Sequence, residues 1–84
     1  MDKINHKITK SEIEHGIMIM RTSDGTREFF AELPGRFTVE LKGEKIINRR
    51  VSSKKIWMGF TQMEKFEAGE IATISKKNNY VTME

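Results

Sequence analysis

Glycine falls at positions 16, 25, 35, 43, 59 and 69 of the 84-residue chain, and Ser52–Ser53 breaks the one long gap. Turn signals therefore recur about every 8–12 residues, the rhythm of a small all-β barrel or sandwich. Between them lie short runs rich in Ile, Val, Phe and Thr: GIMIMR, RFTVELK, EKIINRRV, KKIWMGF, EIATIS and the terminal YVTM. Such side chains suit a pleated, half-buried surface, so each run is a strand candidate. RFTVELK alternates cleanly, which sends Phe37, Val39 and Leu41 to the core and Thr38, Glu40 and Lys42 to the other face. In KKIWMGF the same parity assigns Ile56 and Met58 inward and Trp57 outward, on the face of Lys55. SKKNNY reads as a turn before YVTM, a final edge strand.

Two short helices are expected to plug the barrel ends. Ser11 precedes EIEH with Glu14 three residues on, and Thr61 precedes QMEKF with Glu64 three residues on. Both match the reciprocal cap in which a hydroxyl and a glutamate satisfy orphan N–H groups at a helix start. Gly16 and Gly69 stand where a left-handed residue would end each helix. Asp24-Gly25 is a hairpin-turn signal, and REFFAELPG after it reads either as a strand or as an irregular arm closed by Pro34-Gly35. Residues 1–7 are a candidate disordered tail.

A chain this short supports one core, since it buries only a little over ~60% of its unfolded surface. The apolar fraction is 37% and the charged fraction 32%, yet five Phe and six Met are too many for a disordered chain, so a thin core is expected. Without cysteine, disulfides, thiolate metal sites and cysteine nucleophiles are excluded, which fits a reducing cytoplasm. MDKINHKITK has no apolar h-region and the longest apolar run is GIMIM, so neither secretion nor a membrane span is expected.

Catalytic signals are weak. His6 and His15 match no zinc-ligand spacing and read as solvated side chains, so neither metal nor cofactor is expected. Glu40-x-Lys42 with upstream Asp24 resembles the signature of nucleases that use two carboxylates and a lysine. Any amphipathic strand produces such a pair, however, and the chain is too short for the layered α/β core of those enzymes. No Gly-x-Ser-x-Gly elbow or Gly-rich phosphate loop occurs. The reading is of a protein that is not an enzyme.

Charge is more informative once located. Residues 36–55 hold Arg36, Lys42, Lys45, Arg49, Arg50, Lys54 and Lys55 against Glu40 and Glu44, a surplus of five, whereas residues 1–15 balance and 16–35 and 56–84 each carry one excess negative charge. Clustered cations raise the local potential and steer anions. Arginine's fork grips phosphate or a guanine edge, and Ser52 and Ser53 at a loop tip permit close approach to a backbone. The bland alternative is that these cations blunt an edge strand against aggregation.

Taken together, ITKSEIEHGIMIM, EFFAELPG, VELKGE, RVSSKKIWMGF and KFEAGEIATI resemble the DNA-binding pseudobarrel family. That family includes the EcoRII-type effector domains of restriction enzymes and the DNA-binding domains of plant auxin- and abscisic-acid-response factors. The resemblance runs from about Ile8 to Met83, with Glu70 standing where aspartate is commoner. It implies a mostly β fold, one pseudobarrel domain over residues 1–84 with six to seven short strands and two short helices. It also implies two loop arms that straddle duplex DNA: an early arm of Arg21, Thr22, Ser23, Asp24 and Arg27, and a central arm of Arg49, Arg50, Ser52, Ser53, Lys54 and Lys55. Asp24 and Glu28 leave the early arm nearly neutral. The expected function is therefore non-catalytic recognition of double-stranded DNA, of restriction-enzyme or transcription-regulator type, beside a nuclease or other protein partner. A protein-interaction module, such as a small phage- or plasmid-type regulator docking through its β edge, is the alternative.

Overall fold

Alternation of apolar and polar side chains carries most of the chain into strands. The computed structural model of the chain describes residues 2–33, 35–50 and 57–84, with Asn48 and Arg50 described through their backbone alone. In order, the elements are β1 (Lys3–Lys7), α1 (Lys10–His15), β2 (Ile17–Ile19), α2 (Thr26–Ala31), β3 (Arg36–Leu41), β4 (Glu44–Arg50), β5 (Trp57–Gly59), a 3-10 helix (Thr61–Lys65), β6 (Ile71–Lys77) and β7 (Tyr80–Met83). The fold is mostly β, with a five-stranded sheet in the order β1-β6-β7-β3-β4 and a two-stranded sheet of β2 and β5.

The expected parity of β3 holds, since Phe37, Val39 and Leu41 are buried. They share one core with Ile4, Ile8, Met18, Met20, Phe29, Phe30, Phe60, Met63, Ile74, Val81 and Met83. Met58 is buried and Trp57 is 43% exposed, as the alternation requires; Ile56 lies outside the described residues. Two tight turns use left-handed backbone. Lys42 and Gly43, at φ 48° and 87°, join Leu41 to its partner Glu44, the double positive φ that matches the twist of a two-residue hairpin. Asn78, at φ 56°, lies in the loop between the paired Lys77 and Tyr80.

Several local readings are corrected. YVTM is not an edge strand: β7 lies between β6 and β3, antiparallel to the first and parallel to the second. Strand order reflects contacts between distant segments, and the two faces of β7 alternate as they would on an edge. Within the candidate tail of residues 1–7, Lys3–Lys7 form a strand that pairs with β6 from Lys3↔Ser75 to Lys7↔Ile71. Asp24-Gly25 starts α2 rather than a hairpin; Thr26, Phe29 and Phe30 are buried at helical spacing, and that stripe decides the conformation. The cap of α1 is Thr9 with Glu12, not Ser11 with Glu14. Thr61 caps nothing: buried Phe60, Met63 and Phe66 recur every third residue, the period of a 3-10 helix, with Thr61 inside it. Gly16 closes α1 in the left-handed region at φ 62°, as expected. Pro34 lies outside the described residues.

Candidate nucleic-acid interface

Two short strands adjoin the predicted arms in sequence, β2 before the early arm and β5 after the central one. β2 and β5 are antiparallel, with Ile17 opposite Gly59, Met18 opposite Met58 and Ile19 opposite Trp57. Ile19 is where the chain leaves β2 for the early arm, and Trp57 is where it enters β5 from the central arm. The register therefore sets the start of the early arm, at Ile19, opposite Trp57, the first described residue after the central arm. Met58 and Met18 fix that register by burial, since a slip of one residue would turn them out of the core.

The central arm is only partly described. Ser52, Ser53, Lys54 and Lys55 lie outside the described residues. Its stem is the end of β4, which pairs along one side with β3 and forms an edge of the five-stranded sheet. A β-bulge interrupts that pairing, with Val39 opposite Ile46 and Phe37 opposite Arg49. Ile47 and Asn48 thus face the single residue Thr38, and the extra residue reverses the parity of everything beyond it. Arg49 consequently lies on the side of buried Phe37, its guanidinium 5.3 Å from the centre of the Phe60 ring. Its Nε is buried without a hydrogen-bond partner among the described residues. Arg50 takes the register position opposite Arg36. On the outer surface Arg36, Phe37, Thr38, Ile47 and Asn79 line a shallow groove of about 250 Å³, and Ile47 is 64% exposed.

Other cations of the basic segment are engaged. Lys42 Nζ is 2.7 Å from Glu70 Oε2 and 4.9 Å from the centre of the Phe66 ring. Lys45 stands 6.0 Å from the centre of the Tyr80 ring. The nuclease-like trio is likewise divided among separate contacts: Tyr80 donates to Glu40 at 2.7 Å, Lys42 pairs with Glu70, and Asp24 turns to His6 and Thr26. No cluster of three metal-ligating side chains occurs among the described residues.

The early arm is a tight loop. The Arg21 N–H donates to Thr26 Oγ1 at 2.6 Å, while the Thr26 backbone N–H and hydroxyl both reach Asp24 Oδ1, at 3.0 and 2.7 Å. Thr22 and Ser23 are exposed at its tip. Arg27 is exposed at the start of α2 and reaches the Met20 carbonyl at 3.4 Å. Arg21 is turned partly inward, 3.8 Å from Glu12 and 3.7 Å from Asp24.

Beneath the loop lies a site that the sequence pattern did not announce. His6 is fully buried rather than solvated. Its Nε2 is 2.8 Å from Glu12 Oε2 and its Nδ1 is 2.7 Å from Asp24 Oδ2. A carboxylate at each nitrogen favours the imidazolium, the form in which both nitrogens donate. Burial acts against that charge, but the hydrogen bonds and charges of Glu12 and Asp24 outweigh it and hold His6 above its ordinary 6.5. Burial similarly opposes the Glu12 carboxylate, yet His6 and the N–H groups of Ile19 and Thr9 hold it below its usual range. Asp24 is also held low, against its partial burial, by Thr26 and His6. The signal available in the sequence is Ile4-x-His6-x-Ile8, whose alternation places the imidazole on the buried face of a strand.

No helix among the described residues is long and apolar enough to cross a membrane. Set against protein-family models, curated proteins and solved structures, the chain gives no significant match.

Proposed function

We propose that the protein binds double-stranded DNA through the central arm, with the early arm alongside it, and that it is a recognition module rather than an enzyme. The observation that supports this reading is the pairing of Ile19 with Trp57, which sets the residue that leads into the early arm opposite the residue that follows the central arm. The surplus of five positive charges between residues 36 and 55 supplies the attraction. Arg36 and Arg50 occupy opposite register positions at the stem and belong to that basic segment. Thr22 and Ser23 offer hydroxyls from the second side. Arg49 belongs to the stem's packing instead, over Phe60. A chain without cysteine that meets genomic DNA would work in the cytoplasm, beside a nuclease or other effector chain.

Binding of a duplex oligonucleotide pool across a salt series tests this. Four neutralised phosphates, one each for Arg36, Arg50, Lys54 and Lys55, give a log–log salt slope of about −3 to −4. Replacing Lys54 and Lys55 by alanine should make that slope shallower by roughly 0.9 for each phosphate left without its cation. Arg49→Met should leave it unchanged. A slope unmoved by the lysine substitutions removes the central arm from the interface.

The alternative, a protein-docking module, draws on one feature: β4 is a sheet edge that carries exposed Ile47 beside the groove. It would show as a stoichiometric complex with a protein partner that is insensitive to salt and weakened by Ile47→Lys.

A further inference from the structure

We infer that His6 is a positioning residue for the early arm: its ring, bridging Glu12 of α1 and Asp24 of the arm, fixes the Thr22–Ser23 tip at the end of the β2–β5 sheet. The inference deepens the DNA-binding reading and rests on it for its functional consequence. Its structural part stands on the geometry alone.

The charged groups around the ring are few. α1 contributes Glu12, and the arm contributes Asp24 and Arg21. β6 places Ala72 opposite His6. α2 contributes the uncharged Thr26, with Arg27 and Glu28 exposed; Lys3 and Lys7 on β1 itself are exposed. The cluster is thus two cations and two carboxylates, and it balances only while His6 is protonated.

Loss of that proton has a directional consequence. A neutral ring keeps one N–H and leaves the other nitrogen a lone pair facing a carboxylate. Glu12 is fully buried and holds three other donors: the Thr9 N–H at 2.9 Å, the Thr9 hydroxyl at 3.1 Å and the Ile19 N–H at 2.7 Å. Among the described residues Asp24 Oδ2 has only His6 and the more distant Arg21, and its side chain is 21% exposed. The remaining N–H therefore stays with Glu12, and Asp24 turns toward water. Because Asp24 also holds Thr26 and the start of α2, the tip between Arg21 and Thr26 loses its anchor.

Asp24→Asn reverses the sign. The amide keeps a carbonyl oxygen for Thr26 and presents an NH2 to His6 Nδ1, so the neutral ring is now the one that fits and the imidazolium is the one that clashes. The experiment is an NMR titration of the free protein from about pH 5.5 to 9, across the range where a histidine raised above its ordinary value changes charge. It follows the His6 ring and the Thr22 and Ser23 amides. In the wild-type chain the tip amides should lose order with the same midpoint as the ring; in Asp24→Asn they should be ordered at high pH and loosen at low pH. Tip amides that stay flat while the ring titrates overturn the inference, and so does an Asp24→Asn profile with the wild-type sign.

The same pH series with duplex DNA reads the functional consequence. Affinity should fall by roughly three- to tenfold as the tip loosens, the scale of one hydrogen bond's net worth, with the opposite trend in Asp24→Asn. Affinity that does not follow the tip removes the early arm from binding. Absence of duplex binding at every pH overturns the DNA reading and leaves the NMR result to decide the role of His6.

Discussion

Glu12 ties three parts of this structure together. One carboxylate closes the cap of α1 through Thr9, ties α1 to β2 through the Ile19 N–H and balances the buried His6. Replacing it by alanine would leave the buried Nε2 of His6 and two backbone donors without an acceptor. The expected cost is about 3–5 kcal/mol, because breaking one partner of a buried pair strands the other. Glu12→Gln keeps an oxygen for the donors and should cost clearly less. Urea denaturation of the two variants checks this, and an alanine variant within about 1 kcal/mol of wild type contradicts it. The pair expected from the sequence, Ser11 with Glu14, has the same spacing as Thr9 with Glu12, which forms the cap. What separates them is that His6 and Ile19, from two other elements, both need the Glu12 oxygens.

At the scale of elements, apolar spacing decided conformation wherever turn chemistry was ambiguous. Gly25 caps α2 at φ 83° without a side-chain cap bond of its own, and Asp24, one residue earlier, supplies the acceptor for Thr26. The helix is held at its far end by Lys76 of β6, which reaches the Phe29 carbonyl at 2.8 Å and Glu32 at 2.6 Å. Two substitutions test the cap of α1. Thr9→Ala should cost about 1 kcal/mol, the usual worth of an N-cap hydroxyl, whereas Ser11→Ala, at an exposed position, should stay within about 0.5 kcal/mol. Equal effects would mean that the cap is misassigned. At the end of α1, Gly16→Ala is strained by its φ of 62°, while a Cβ there would make ordinary contact with the Thr61 backbone at 3.4 Å. It should destabilise by about 1 kcal/mol or more, again by denaturation.

For the whole molecule, the charge cluster predicts a stability profile with a sloping alkaline side. His6 is raised in the folded state, so its contribution is complete below its ordinary 6.5 and is lost as pH rises through the folded value. Glu12 is lowered, so its contribution is complete above its ordinary 4.5 and is lost as pH falls through the folded value. Asp24 acts in the same sense as Glu12 from its ordinary 3.8. The denaturation midpoint should therefore peak between about pH 4.5 and 6.5 and decline toward pH 9. A midpoint that climbs steadily from pH 6 to 9 would show that His6 is not charged in the folded chain.

By itself the sequence determined that the chain is mostly β, that β3 buries Phe37, Val39 and Leu41, that the turns fall near its glycines, and that positive charge gathers between residues 36 and 55. Those properties follow from side-chain period and composition, which are written within a few neighbouring positions. Only the tertiary structure decided that β7 inserts between β6 and β3, that a bulge turns Arg49 inward over Phe60, that Ile19 pairs with Trp57 across the β2–β5 sheet, and that His6 meets Glu12 and Asp24. Each of these joins residues far apart along the chain, and the free energy that selects them comes from burying distant surfaces together, which no local pattern encodes.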